Sequence, residues 1–560
     1  MIHYIRKYLF SIFTTYTHKT FIREKIIVSL LATFVVLSLL MIFFIIRAKT
    51  LVERPAFGGV YRDAIIGAPR FINPVLAETD ADLTLGKLVY SGLVRETDHG
   101  VFIPDLAERV DVSPNGLVYT FTLRDNIVFH DGKKLTAHDV VYTMDQVKQN
   151  LTVRNAGWQS VEISSPDEYT VVYTLKKPYG EFMRMATIGI LPAHIWEPLS
   201  VENFMVTGFN AKPIGTGPYR VTDIQVSSSG IPEKYTLKRF NRFILGKPYL
   251  QKIIIHTVPN YESIVNLLHS GDIDGTMIHG TSENIQAISN IRRYTQTSVP
   301  STKVFALFMR DTGLLSDNIV RTYINSVINT SLVIDSVSTG KAFSPSGPIP
   351  HNPEITTSTK KITLENHGWI KNTQTGIYEQ KDTKKQLRFT ITTLNNPELQ
   401  AITQNMVTQL ESAGIGATVQ VFESSDLETA VLSERKFESF LFGVTVGSVS
   451  DLYAFWHSSQ RNYPGLNITG YHNKEVDTLL EQVILERDYE KQKTLTQKII
   501  TKITSDTPAI FIYNPADIII TKGRLHIPVL QTYFESFDRF NTLANWYTHT
   551  DMVWKIFDRD

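Results

Sequence analysis

An α/β fold in two or three lobes, preceded by one apolar helix, is predicted by three observations. The stretch Leu117–Val147 passes from strand to turn to helix. Its first part alternates Val118, Thr120 and Thr122 with Tyr119, Phe121 and Leu123, the period of a half-buried strand. Phe129-His130-Asp131-Gly132 then supplies turn chemistry, and Thr136 with Asp139 has the spacing of a capping box ahead of Val140, Tyr142, Met144 and Val147. Residues Leu387–Leu394, Pro397–Ser412 and Thr418–Phe422 repeat the theme as strand, helix and strand. Finally, 560 residues are too many for one hydrophobic core.

The chain begins with a mixed apolar and basic segment, residues 1–25, read as a cytoplasmic tail able to lie on the inner membrane surface. Residues Ile26–Ile46 carry no charge and would extend about 30 Å as a helix, the thickness of a bilayer's hydrocarbon core. The run ends in Arg47-Ala48-Lys49 rather than in small residues fit for cleavage, so an uncleaved transmembrane anchor is expected. Residues 47–56 read as a linker. Basic residues flank the span on both sides, so the charge bias gives little orientation.

Composition narrows the function classes. A net charge of +1 sets up no field toward nucleic acid or acidic substrates. With no cysteine, disulfides, thiolate metal sites and cysteine nucleophiles are excluded, as is a lipid on an N-terminal Cys. The fifteen histidines lack metal-ligand spacing, and no GxSxG, HExxH or P-loop lysine occurs. No catalytic residue, metal or cofactor is expected.

The wording of Leu117–Val147 resembles the signature of the family-5 extracellular solute-binding proteins, the peptide-binding receptors of ABC importers. Further segments carry the same resemblance in order: Phe57–Tyr61, Pro69–Pro74, Leu88–Leu93 with Ser91 at the usual acid, Pro104–Glu108, Leu191–Trp196, Gly215-Thr216-Gly217-Pro218-Tyr219, Gly246–Leu250, Gly271–Asp274, Ser344–Pro350, Gly470–Leu480 and Asp506–Tyr513. Bland readings of three of them compete. Phe129–Gly132 could hold a metal or catalytic His–Asp pair. Gly215–Tyr219 could cradle phosphate, although no Lys-Ser/Thr follows. Asp272 and Asp274 could form an acid–base pair on one strand face. Turn chemistry accounts for each without a ligand.

The resemblance implies a two-lobed periplasmic-binding-protein-like clamp (type II, cluster C-like, with an extra subdomain) that closes on a peptide and docks on the permease subunits of an importer. It places lobe I at 57–91, 192–301 and 515–560, its subdomain at 92–191 and lobe II at 302–514. The chain should cross between lobes near Ser298–Lys303 and Tyr513–Asp517. Candidate ligand contacts are Asp451, Trp158, Trp456, His457 and Tyr90. Asp451, in the segment resembling the family's "DPxxF" loop, is expected to pair with a peptide's α-amino group. Leu452 replaces the Pro of that pattern. The expected protein is a monomer, single-pass in the cell membrane with its binding domain extracytoplasmic. Two other readings stand: a receptor of the same fold for nickel chelate, haem, opine or oligosaccharide, and a membrane-anchored hydrolase.

Overall fold

The computed structural model describes residues 22–97, 101–150, 158–177, 182–338, 342–353, 361–426, 433–486, 488–527 and 536–554, with the single residues 355, 429 and 431. The expectation for the first 25 residues lies outside the described residues up to position 21.

The chain forms two compact units. The smaller comprises the N-terminal segment through Ala56 together with the C-terminal segment from His549. Its helix Ile22–Thr50 contains a 21-residue stretch, Glu24–Phe44, apolar and long enough to cross a membrane, with none of it buried in the protein. The helix runs four residues beyond the apolar span, and the strand Leu51–Pro55 follows at once, paired antiparallel with Thr550–Trp554. The segment expected to be a linker is therefore helix and strand. A partner strand from the far end of the sequence satisfies its backbone, which no local signal reveals. The same pairing takes Thr550–Trp554 out of lobe I.

The larger unit, Phe57–Thr548, holds three principal sheets. The first orders Val60–Ile66, Lys252–Val258, Pro232–Arg239 and Tyr219–Val226, with its first two strands parallel. The second is the antiparallel sheet Ala107–Val112, Val118–Leu123, Thr170–Leu175 and Val161–Asp167. In it Tyr119, Phe121 and Leu123 face the core, as the alternation requires. The third runs Gly275–His279, Ala509–Lys522, Lys303–Met309, Ser439–Thr445, Arg388–Leu394 and Gly416–Phe422.

Side-chain caps set two helix starts. Asn329 accepts from the Ser331 N–H, and Asn318–Val327 and Thr330–Ser338 are separate helices. Asp488 accepts from the Lys491 N–H at the start of the helix Tyr489–Asp506.

The motifs of the first lobe interlock. His130 accepts the Gly215 N–H at Nδ1 (3.3 Å) and donates from Nε2 to the Gly217 carbonyl (3.0 Å), while its own N–H bonds Gly215 O. Burial pushes this imidazole down to about 4, and Arg220 pushes the same way, so it is neutral at pH 7. Asp131 bonds His194 at 2.7 Å, and Asp139 closes the capping box with Thr136 while accepting from Ala193 N–H. Gly215 and Gly217 press on Val89 and Tyr90; an added Cβ would lie 2.2 Å from Val89 O or 2.5 Å from Val89 C. The metal, catalytic and phosphate readings fail here. Both ring nitrogens of His130 are engaged by main chain, and the glycines exist for close approach. Asp274 pairs with Arg62 (3.0 Å) and Lys522 (2.9 Å), a structural tie rather than an acid–base couple.

Candidate ligand-binding junction

The strand Ala509–Lys522 serves two neighbourhoods. Its first part pairs with Lys303–Met309, from Phe305 opposite Tyr513 to Phe308 opposite Ala509. Its later part pairs with Gly275–His279 and Tyr294–Pro300. The hydrophobic cores change over at the same points. Residues from Phe305 to Tyr513 build one core, whereas Tyr294, Ala516, Ile518 and Ile520 belong to another. A third core joins the first sheet to the second.

Both chain crossings are pinned by one side chain. Asn514, fully buried, donates to the Ser301 and Lys303 carbonyls (both 2.8 Å) and accepts from the His351 N–H (2.9 Å). Beside it the Val446 N–H bonds Thr302 O, and the Ser301 N–H bonds Pro515 O.

A cavity of about 330 Å³ is lined by Ala64–Ile66, Asp80, Thr84, Tyr261, Met277–His279 and Arg539, and reaches the second crossing through the His279–Asp517 hydrogen bond. It lies at the carboxyl ends of the parallel strands Val60–Ile66 and Lys252–Val258, the end where open α/β sheets receive ligands. Its charged groups His279 and Arg539 come from a strand and from the 3-10 segment Ser536–Asn545. His279 sits opposite Asp517 across the ladder and hydrogen-bonds it at 2.7 Å, which raises the imidazole above its usual range. Arg539 meets Asp63 at 3.1 Å. Burial pushes that carboxyl up, while Arg539 and the Tyr61 hydroxyl at 2.6 Å hold it down. From the other core, the exposed Lys303 lies close enough to His279 to act on its charge. Positive and negative groups thus gather at one end of this cavity, beside the second crossing.

Sequence reasoning named the crossings that contain Lys303 and Asp517 but missed His279 and Arg539. These come from separated segments, and no spacing links them. The named candidates are placed differently. Trp158 is 3% exposed against Tyr173 and Phe182, inside the core of the first lobe. Trp456 is equally buried, stacked on Phe308 with Tyr471 and Phe511 at its edges. Both are corrected from cleft contacts to core residues, because each ring is buried among other aromatic side chains. Tyr90 is buried between glycines, its hydroxyl without a partner among the described residues, in a separate small cavity of the first lobe. His457 is buried against the Tyr453 ring, with Nδ1 bonded to Ser459. It too is withdrawn from the cleft.

Asp451 sits in the first turn of the helix Val449–Trp456, not in a loop. Its Oδ2 accepts the Gly447 and Ser448 N–H groups (both 2.8 Å), a capping box with Ser448. Through Val446 this turn adjoins the Thr302 crossing. Oδ1 makes no hydrogen bond among the described residues.

A family model of the bacterial extracellular solute-binding proteins, family 5 (middle region), matches residues 101–464. The chain belongs to this family. It is 27% identical over 490 residues to the oligopeptide-binding protein AppA of Bacillus subtilis, covering 84% of this chain and 88% of AppA. The structure of AppA in complex with a nonapeptide superposes with a TM-score of 0.59 at 22% identity, over 89% of this chain and 100% of the other. NikZ of Campylobacter jejuni in complex with Ni(L-His) gives 0.61 at 24% identity, over 87% and 99%. The α/β fold expected from the signature stretch is thereby shown, with one N-terminal apolar helix.

Proposed function

We propose that this family member is a membrane-anchored extracytoplasmic receptor that takes a peptide between two lobes and delivers it to an ABC importer. The observation that carries the reading is the junction: two hydrophobic cores joined by two strand crossings, with opposite charges gathered beside them. A receptor that accepts many peptides grips what they share, main-chain amides and two charged ends. His279 and Lys303 suit a carboxylate. Asp451 Oδ1, on the other core, suits an ammonium, which needs a paired carboxylate once it leaves water. Ligand touching both lobes favours their closed arrangement, and residues 298–303 and 513–517 absorb the rotation. The oligopeptide-binding relative AppA supports peptide as the ligand class. The exposed apolar helix supports retention in the membrane. No step of this cycle calls for bond breaking by the receptor.

The test is native mass spectrometry of the intact chain offered a mixed peptide pool and nickel–histidine together. Retention of heterogeneous peptides is expected. Retention of nickel–histidine alone, or conversion of peptides without any retained, overturns the reading.

A further inference from the structure

Five of the six tryptophans are at most 3% exposed: Trp158, Trp196, Trp369, Trp456 and Trp546. Trp554 is 51% exposed. It lies in the last described strand, and the ladder register pairs it with Leu51, the first residue after the apolar helix. The antiparallel partner therefore brings the chain back to the level at which the helix ends.

The geometry of this small unit fixes that level. From Ile46, the end of the uncharged run, Arg47–Thr50 continue as helix for about 6 Å at ~1.5 Å per residue. Leu51 and Trp554 thus stand about 6–8 Å beyond the hydrocarbon, within the headgroup layer of a bilayer. Alternation puts Leu51, Glu53 and Pro55 on one face with Trp554, Met552 and Thr550. That face is graded. Its end at the helix carries Leu51, Trp554 and the exposed Met552; its far end carries Glu53, bonded to the Thr550 hydroxyl at 2.5 Å. A two-stranded sheet of five-residue strands is marginal by itself in water, so an apolar support on this face would stabilise it. Tryptophan suits such a layer, with an apolar ring body and one N–H donor.

We propose that the sheet Leu51–Pro55/Thr550–Trp554 docks on the phospholipid bilayer through Trp554 and Met552, giving the membrane a second hold on the chain at its C-terminal strand. The proposal rests on the reading of Ile26–Ile46 as a retained anchor.

The experiment uses the intact chain in lipid nanodiscs, with acyl-brominated phosphatidylcholine as quencher, for the wild type and Trp554→Phe. Intact mass and carbonate extraction report the anchor separately. Brominated lipid should remove roughly one-sixth of wild-type tryptophan emission, one residue of six, and this component should be absent from Trp554→Phe. Acrylamide should quench little of it in discs. Equal lipid quenching of the two proteins in an intact, disc-retained chain overturns the docking while leaving the anchor standing. So does a Trp554 open to acrylamide in discs and shielded only when importer is added, which would assign this face to a protein. A chain that has lost residues 1–46, or leaves the disc, overturns both.

Discussion

Replacing His130 by Ala should destabilise the protein strongly at neutral pH and much less in acid. At pH 7 the neutral ring satisfies two buried main-chain groups, the Gly215 N–H and the Gly217 carbonyl. Leaving each unpaired costs about 1–3 kcal/mol, so His130→Ala should lose about 2–6 kcal/mol. The pH effect follows from protonation. Unfolded, the imidazole titrates near its ordinary value of about 6.5; folded, burial holds it at about 4. A His with a depressed folded value gives full stability above 6.5 and loses it as pH falls toward 4, because only the unfolded chain binds the proton there. At about 1.4 kcal/mol per unit, this removes about 3 kcal/mol from the wild type and nothing from the variant. Arg220 and Asp131, the charged groups that bear on the ring, are present in both proteins. Urea unfolding at pH 7 and pH 4.5 measures the gap. It should shrink by about 2–3 kcal/mol in acid. A gap that does not change with pH, or one below about 1 kcal/mol at pH 7, refutes the neutral bridging role.

Other substitutions test separate parts of the account. Gly217→Ala drives a Cβ onto the Val89 carbonyl carbon, backbone against backbone, and should cost about 3 kcal/mol or more, read as a lowered unfolding midpoint; a midpoint within experimental error of wild type contradicts the close-approach argument. Asp451→Ala should weaken peptide binding roughly a hundredfold by calorimetry, since truncating one side of a buried charge pair typically costs about 2–5 kcal/mol. Ser448→Ala removes a partner of the same capping box and should lower stability by about 1 kcal/mol without changing affinity. Equal affinity losses in the two would make Asp451 a cap and nothing more. N-acetylated peptides should bind wild type poorly. His279 titrates in the sense opposite to His130. Asp517 raises it, so its stabilising contribution is present below about pH 6.5 and is lost as pH rises through the raised value. His279→Gln should abolish that alkaline loss in a pH series of unfolding midpoints.

Much of the first lobe is written locally. The alternation at Tyr119, Phe121 and Leu123, the Thr136–Asp139 cap and the turn at Gly132 each depend on neighbours in sequence, and each stands in the structure as the pattern implies. The binding residues are a different matter. Trp158 and Trp456 looked like cleft aromatics because sequence cannot distinguish a ring facing solvent from one that fills a core; tertiary packing alone decides that. Asp451 illustrates a related ambiguity: an acid at the third position after Ser448 satisfies a helix end whether or not it also meets a ligand. His279, Asp517 and Arg539 meet only because strands from distant parts of the chain pair in register, and the sheet Leu51–Pro55/Thr550–Trp554 joins segments nearly five hundred residues apart. Long-range pairing of this kind leaves no periodic trace at either partner.

The central claim is that peptide closes two lobes about the crossings at 298–303 and 513–517. The chain has no cysteine, so Glu233→Cys and Glu411→Cys, exposed positions in segments on either side of those crossings, would carry the only thiol-attached dyes. Energy transfer between the two labels should rise on saturation with a mixed peptide pool and return on its removal, and N-acetylated peptides should produce little change. Peptide bound at saturation with energy transfer unaltered would contradict the account.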